Sequence, residues 1–145
     1  MALSEQRVGE FLAALGARTP APASGAATAL TAALAAALVE LVARLADDDT
    51  TAARANELAT RLTQLADEDS AAYTAFMAER TEESRRRIVE VPAEIAKSAD
   101  EIERLAGEVA PRVSRAVAGD AEAAAELARA ASRVARRLVA LNEGA

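Results

Sequence analysis

Few residues in this sequence could do acid–base chemistry near neutral pH, because it contains no histidine and no cysteine. The lack of cysteine excludes disulfides, thiolate chemistry and cysteine-based metal sites. Proton transfer must therefore come from a carboxylate with a shifted pKa, from Tyr73 or from the single lysine, Lys97. Two aspartates stand out by their positions in the sequence, Asp69 and Asp120.

Asp69 stands in a seam of apolar residues that repeat at helical spacing. The other members of the seam are Leu58, Leu62, Leu65, Ala72 and Phe76. A buried carboxylate is unfavourable unless it is hydrogen-bonded, paired or protonated, and a raised pKa would suit Asp69 to proton transfer. The alternative is that the bundle opens here and Asp69 pairs with an arginine. Tyr73 lies one turn further along the same face. Packing of its ring, with the hydroxyl at the rim, would explain this tyrosine without a role in chemistry.

Asp120 follows a glycine and precedes the segment AEAAAELA. This pattern predicts that the last helix starts at Gly119-Asp120 and that Asp120 is its N-cap. Capping alone would explain this aspartate, without a catalytic or binding role. The predicted buried face of this helix consists of Ala124, Leu127, Ala131, Val134, Leu138 and Leu141.

The rest of the chain also has helical periodicity, and no stretch alternates long enough to indicate a strand. A short helix ends at Gly16, before two prolines. A long one, from about Ala26 to Ala46, is apolar nearly all round and belongs at the centre of a bundle. Its leucine seam consists of Leu30, Leu34, Leu38, Leu41 and Leu45. A third helix is expected over about Thr50 to Glu79.

The fourth helical stretch contains Pro92 and precedes Pro111, so we expect a kink at the first proline and an end or bend near the second. The fold class is therefore all-α: a bundle of about five helices, with a long apolar central helix, in a single domain over residues 1–145. Alanine-lined seams bury little apolar area per turn, and pairing two bundles would bury additional apolar area. We therefore expect a homodimer.

Charge and hydropathy limit the partners. A net charge of −6, with arginines interleaved with acids, argues against a nucleic-acid partner. Charges arrive too early in the N-terminal segment for a signal peptide. The apolar run from Ala26 to Val39 is too short and too rich in alanine for a membrane span. We expect a soluble cytoplasmic protein that acts on a small molecule, with no membrane partner, no metal and no tightly bound cofactor.

Four segments, in order along the chain, resemble the cyclodeaminase/cyclohydrolase family. They are VGEFLAALGARTPAPASGAATALTAALAAALVELVARLA, LADEDSAAYTAF, VPAEIA and GDAEAAAELARAA. The family includes the C-terminal domain of formiminotransferase-cyclodeaminase and a methenyltetrahydrofolate cyclohydrolase. The resemblance implies a helical bundle, usually dimeric, that opens or closes a C–N bond on the one-carbon unit of a tetrahydrofolate, which would be the substrate.

The resemblance also implies site residues. Asp69 and Asp120 are the catalytic candidates, one managing protons and the other stabilising a cation, without an assignment of which does which. Ser24, Gly25, Tyr73 and Arg115 are the candidates for binding substrate. Where the family has Gly-Gly-Gly-Ser, this chain has Ala23 to Ala26, and each added Cβ narrows the approach of a ligand to the helix N-terminus.

These departures leave three functions open. The first is a divergent folate cyclohydrolase or cyclodeaminase that uses carboxylate acid–base catalysis. The second is the same bundle turned to a non-folate substrate, as a cyclase or proton-transfer enzyme of specialised metabolism. The third is a non-catalytic oligomeric protein in which Asp120 is a helix cap and Asp69 is part of a salt bridge. Fold analogy does not choose among them.

Overall fold

The computed structural model describes all 145 residues and contains five α-helices and no strand. A 3₁₀ turn over Leu3–Glu5 comes first, and a second one over Ala110–Arg112 precedes the last helix. The helices are α1 (Val8–Gly16), α2 (Ser24–Leu45), α3 (Asp49–Ala78), α4 (Glu82–Val109) and α5 (Arg115–Glu143). The predicted all-α bundle is confirmed.

Helix α2 is the central helix, since it packs against α3, α4 and α5. By length and composition alone the whole of α2, which is longer than the apolar run Ala26 to Val39, could cross a membrane. Just over half of its most apolar window is buried inside the bundle, which is also typical of a core helix in a soluble protein.

The leucine seam predicted for α2 is only partly confirmed, because Leu30 and Leu38 pack half-buried against the core and the other three leucines do not. The buried face carries alanine and valine, whereas Leu34, Leu41 and Leu45 are 64%, 43% and 56% exposed. Small residues let the neighbouring helices approach α2 closely, and the larger leucines are left on the other side. We refer to Leu34, Leu41 and Leu45 as the leucine surface.

Helix α5 departs from prediction in the same way. It starts at Arg115, after Ser114 as the residue before its first turn, and not at Gly119-Asp120. Its buried residues are Ala121, Ala124, Ala128, Ala131, Ser132 and Ala135. Three predicted core residues, Leu127, Val134 and Leu141, are instead exposed. Alanine again faces the bundle.

The turn from α2 to α3 is closed by local hydrogen bonds. Asp47 has a positive φ of 56°, and its N–H donates to the carbonyl of Arg44 at 3.1 Å. The N–H of Asp48 donates to the carbonyl of Ala43 at 2.9 Å. This is the pattern of a Schellman motif, with an aspartate where glycine is commonest. Asp48 then caps α3 by accepting from the N–H of Thr51 at 3.0 Å.

The seam predicted for α3 is confirmed apart from its carboxylate. Leu58, Leu62, Leu65, Ala72 and Phe76 are all buried. Asp69, in the same seam, is only half-buried. The apolar core therefore opens around Asp69, which directs attention to what faces it.

Candidate functional site

The carboxyl group of Asp69 lies directly against the backbone of Gly25, in the first turn of α2. A Cβ built on Gly25 would overlap the Cγ and both carboxyl oxygens of Asp69. No side chain larger than hydrogen therefore fits at position 25 while Asp69 keeps this position. The glycine in the first turn of α2 is thus matched to the one carboxylate in the α3 seam.

Asp69 has no charged or hydrogen-bonded partner in the protein. Burial alone raises the pKa of its carboxyl from 3.8 to about 6. The predicted alternative, in which an arginine pairs with Asp69, is therefore wrong. A carboxyl with a pKa near 6 is largely ionised at pH 7 and can still be protonated readily, as a residue that moves protons must.

A cavity of about 260 Å³ lies beside Asp69. It is formed where the loop before α2 meets α3, α4 and the C-terminal end of α5. The residues that line it are Pro20, Ala21, Ala23, Ser24, Gly25, Asp69, Tyr73, Ile88, Leu138 and Asn142. The lining contains no basic side chain, and Asp69 is its single charged residue.

Four of the predicted site residues meet at this cavity: Asp69, Tyr73, Ser24 and Gly25. Ser24 is the first residue of α2 and is exposed at the mouth. Tyr73 is 36% exposed, and its ring lies 6.5 Å from that of Phe76, centroid to centroid. Tyr73 therefore lines the cavity on a side where the cavity meets solvent.

The other two predicted site residues lie elsewhere. Asp120 and Arg115 belong to the first turns of α5, whereas Leu138 of the same helix lines the cavity. Eighteen residues of α-helix separate Asp120 from Leu138, which is about 27 Å. Within one chain, Asp120 and Asp69 are not brought together. Asp120 is also not an N-cap, because α5 begins five residues before it. The roles of Asp120 and Arg115 stay predictions.

Asn142 is a cavity residue that sequence reasoning missed. Its side-chain amide donates to the carbonyl of Ile88 at 2.6 Å. That carbonyl has no helical partner, because the residue four positions later is Pro92, which has no N–H. Helix α4 runs continuously through Pro92. The proline in the sequence indicates that the Ile88 carbonyl lacks its helical hydrogen bond. The sequence does not reveal which distant residue supplies the donor instead.

The described residues contain no group of three or more histidine, cysteine, aspartate or glutamate side chains that could hold a metal ion. The expectation that no tightly bound cofactor is needed stays a prediction. The polar groups available to a ligand in this cavity are thus the Asp69 carboxyl, the Asn142 amide and the hydroxyls of Tyr73 and Ser24.

A comparison with protein-family models gives one match. The model described as formiminotransferase-cyclodeaminase matches residues 7–145. A comparison with the curated proteins gives no match. The family match includes every residue that lines the cavity.

Proposed function

The chain belongs to the formiminotransferase-cyclodeaminase family, and on that premise we propose that it is an enzyme that opens or closes a C–N bond in the Asp69 cavity. The observation that carries the proposal is the unpartnered Asp69 carboxyl, whose position against α2 requires a glycine at position 25. Carboxyl groups with a pKa raised by burial are common where proteins transfer protons.

The proposed reaction takes place at a cationic amidine-like carbon. A nucleophile adds to that carbon and gives its proton to Asp69. The nucleophile is water in a hydrolysis, or a nitrogen of the substrate in a ring closure. Asp69 then returns the proton to the departing nitrogen as the C–N bond breaks. In the hydrolysis, the remaining hydroxyl proton of the adduct passes to solvent as the carbonyl forms. One carboxyl group can serve both steps, because it is regenerated in its ionised form at the end.

A folate one-carbon unit is the substrate that the family favours. The cavity is slightly smaller than the ~300–1,000 Å³ typical of pockets that enclose a drug-sized ligand. Only the reacting amidine of a folate would therefore enter it, and the rest of the molecule would lie across the open mouth beside Tyr73 and Ser24.

A non-folate substrate is the second candidate. It is favoured by Ala23, which lines the cavity. At this position of the loop, the family that the sequence resembles has a glycine. A third possibility, a non-catalytic protein, depended on a paired Asp69 and a capping Asp120. Neither interaction is present.

The test is to follow methenyltetrahydrofolate by its absorbance, and formiminotetrahydrofolate by ammonia release, with and without the protein. We expect the wild type to accelerate one of these reactions and Asp69→Asn to lower that rate by about 10³-fold, within the usual range for loss of a general acid–base group. Asp49→Asn, an exposed aspartate at the other end of the bundle, is the matched control.

Asp120→Asn belongs in the same series. A rate close to that of the wild type would place Asp120 outside the reaction, and a large loss would require Asp120 of another subunit to reach the cavity. No acceleration of either substrate by the wild type would refute the folate version. Loss of activity in Asp49→Asn equal to that in Asp69→Asn would refute the role of Asp69.

We also propose that the protein is a homodimer that pairs through the leucine surface. Leu34, Leu41 and Leu45 are exposed on the central helix, and Leu34 also lines an apolar groove formed by the N-terminal 3₁₀ turn, α1, α2 and α3. Contiguous exposed apolar area of this kind typically marks an interface. Light scattering after size-exclusion chromatography should give twice the chain mass for the wild type and the chain mass for Leu34→Glu. Ala93→Glu, on an exposed part of α4, should stay dimeric.

A further inference from the structure

One polar side chain of the cavity, that of Asn142, takes no part in the reaction described above. Its Nδ2 group donates to the main-chain carbonyl of Ile88. A carbonyl only accepts hydrogen bonds, so the amide nitrogen must face Ile88 and the amide oxygen must point elsewhere. No group of the protein donates to this oxygen, Oδ1. Asn142 therefore brings a free acceptor to the cavity wall.

The orientation of Asn142 originates in Pro92. Proline removes the N–H that would otherwise bond to the Ile88 carbonyl, and both residues are buried. A buried carbonyl without a donor is unfavourable, so the bond from Asn142 is strongly preferred over its loss. The same bond prevents the amide from turning over and presenting its N–H groups to a ligand. Helix α4 thus fixes Asn142 as an acceptor.

Two acceptors therefore border the cavity, Oδ1 of Asn142 and the ionised carboxylate of Asp69, and no basic side chain accompanies them. An open amidinium cation carries at least two N–H donors, on its terminal nitrogen or on both nitrogens, and can bind both acceptors at once. A neutral amide has no charge to pair with the carboxylate of Asp69, and its carbonyl oxygen cannot donate to either acceptor. The lining thus favours a cationic donor over a neutral amide of the same size.

We propose that Asn142 is a specificity-determining residue, and that its Oδ1 and the carboxylate of Asp69 together bind the N–H groups of a small amidinium cation. An amidine bridged between two substituted nitrogens has no N–H to donate. The pair therefore selects an open amidine, such as a formimino group, over a bridged one. This inference rests on the proposed function for the choice of cavity, but it concerns binding and needs no turnover.

The test uses acetamidinium as the probe and acetamide, its neutral analogue, as the control. Both are titrated by NMR into the full-length wild type, Pro92→Ala, Asn142→Ala and the double variant, and the spectrum of each protein also reports whether it is folded. Pro92→Ala supplies an N–H at position 92, so the Ile88 carbonyl regains its helical partner without Asn142. Asn142→Ala alone should have a lower Tm, and Pro92→Ala in the same chain should restore much of it.

Binding then separates a structural role of Asn142 from the proposed one. We expect acetamidinium to bind the wild type at least tenfold more tightly than acetamide does. We expect the double variant to bind it at least tenfold more weakly than the wild type does, despite the restored Tm. Pro92→Ala, in which Asn142 is present but is no longer held by the Ile88 carbonyl, should bind it more tightly than the double variant.

The inference is overturned if the double variant binds acetamidinium as the wild type does. It is also overturned if acetamide binds the wild type equally well, or if acetamidinium does not bind it at all. Amidinium binding that depends on Asn142, without turnover of either folate, would refute the proposed function and leave this inference standing. Turnover without such binding would do the reverse.

Discussion

Two aspartates lie near opposite ends of α2. The carboxyl of Asp69, a residue in the middle of α3, faces the first turn of α2, and Asp48 lies beyond the last turn of α2 as the N-cap of α3. Asp48 caps α3 and accepts hydrogen bonds from the N–H and the hydroxyl of Thr51, at 3.0 and 2.6 Å, and from Arg112 at 2.6 Å. The bonds from Thr51, followed by that from Arg112, lower the pKa of Asp48 to about 2. Burial without any such bond raises the pKa of Asp69 to about 6.

The contrast separates a carboxylate that stabilises the fold from one that is available for chemistry. At Asp48 every nearby donor is directed at the ionised form, so folding and ionisation support each other. At Asp69 no donor of the protein is committed, so the proton affinity is high and the oxygens are free for a ligand. The two aspartates should therefore respond in opposite ways to substitution and to pH.

After substitution of Asp69 itself, the largest effect is expected from Gly25→Ala. The new Cβ must displace the Asp69 carboxyl, and misplacing a reacting group by about 1 Å can lower a rate by roughly 10²-fold. The measurement is turnover of whichever folate the wild type accepts. In an Asp69→Ala background the same change should have almost no further effect on the rate. A full additional loss there would mean that Gly25 acts independently of Asp69.

The pH dependence of stability comes next. The native Asp69 carboxyl keeps its proton to about pH 6, while the unfolded chain releases it near pH 4, so the free energy of unfolding should fall as pH rises between these values. Allowing for its partial contact with solvent, we expect a fall of about 2 kcal/mol. Urea unfolding at pH 4, 5, 6 and 7 measures it.

Asp69→Asn should remove this decline and be more stable than the wild type at pH 7. A variant that loses activity while gaining stability is typical of a functional residue held in an unfavourable site. Equal slopes for the wild type and Asp69→Asn between pH 4 and 6 would contradict the assignment of the raised pKa.

Asp48→Ala should have a smaller effect and the opposite sign. It removes the side-chain cap of α3 and the contact to Arg112, so thermal unfolding at pH 7 should show a Tm lower by roughly 3 °C. Because the stabilising effect of Asp48 is present above pH 4 and is lost as pH falls toward 2, the difference should disappear in acid. Turnover should be unchanged. A Tm difference that persists at pH 2 would show that ionisation of Asp48 is not its source.

The smallest effect is expected next to Asp48. Asp47 has a left-handed backbone conformation, which glycine adopts with less strain. Asp47→Gly should raise the free energy of unfolding by about 0.5 kcal/mol, measured by urea unfolding. Asp47→Ala, which keeps the strain, is the control and should be less stable than Asp47→Gly. The reverse order would mean that the Asp47 side chain makes a contribution larger than the backbone strain.

Much of the fold was predictable because local signals agree with it. The helix bounds found for α2 and α3 differ from the predicted ones by one or two residues. The predicted start of α5 was wrong because Gly119-Asp120 imitates a helix start, while Ser114 precedes the true one. The predicted buried faces of α2 and α5 were wrong at several of their large side chains, which are exposed because close helix packing leaves alanine in the core.

The candidate site was predictable only in part. Asp69 is visible in the sequence because it interrupts an apolar seam, and Gly25 is visible because it follows a proline-rich loop. That the two are in contact, and that Asn142 joins them, depends on residues separated by 44 positions and more along the chain. Asp120 appeared equally suitable by sequence, but α5 carries it away from the cavity.

The sequence by itself determined the helical content, the central position of α2, the lack of histidine and cysteine chemistry, and the family. These follow from residue types and short-range periodicity, which act within a few turns of one helix. Tertiary structure alone decided that Asp69 is unpartnered, that its carboxyl meets Gly25, and that Asn142 replaces the donor lost at Pro92. Desolvation and hydrogen bonding depend on which distant surfaces meet, and helical periodicity does not specify that.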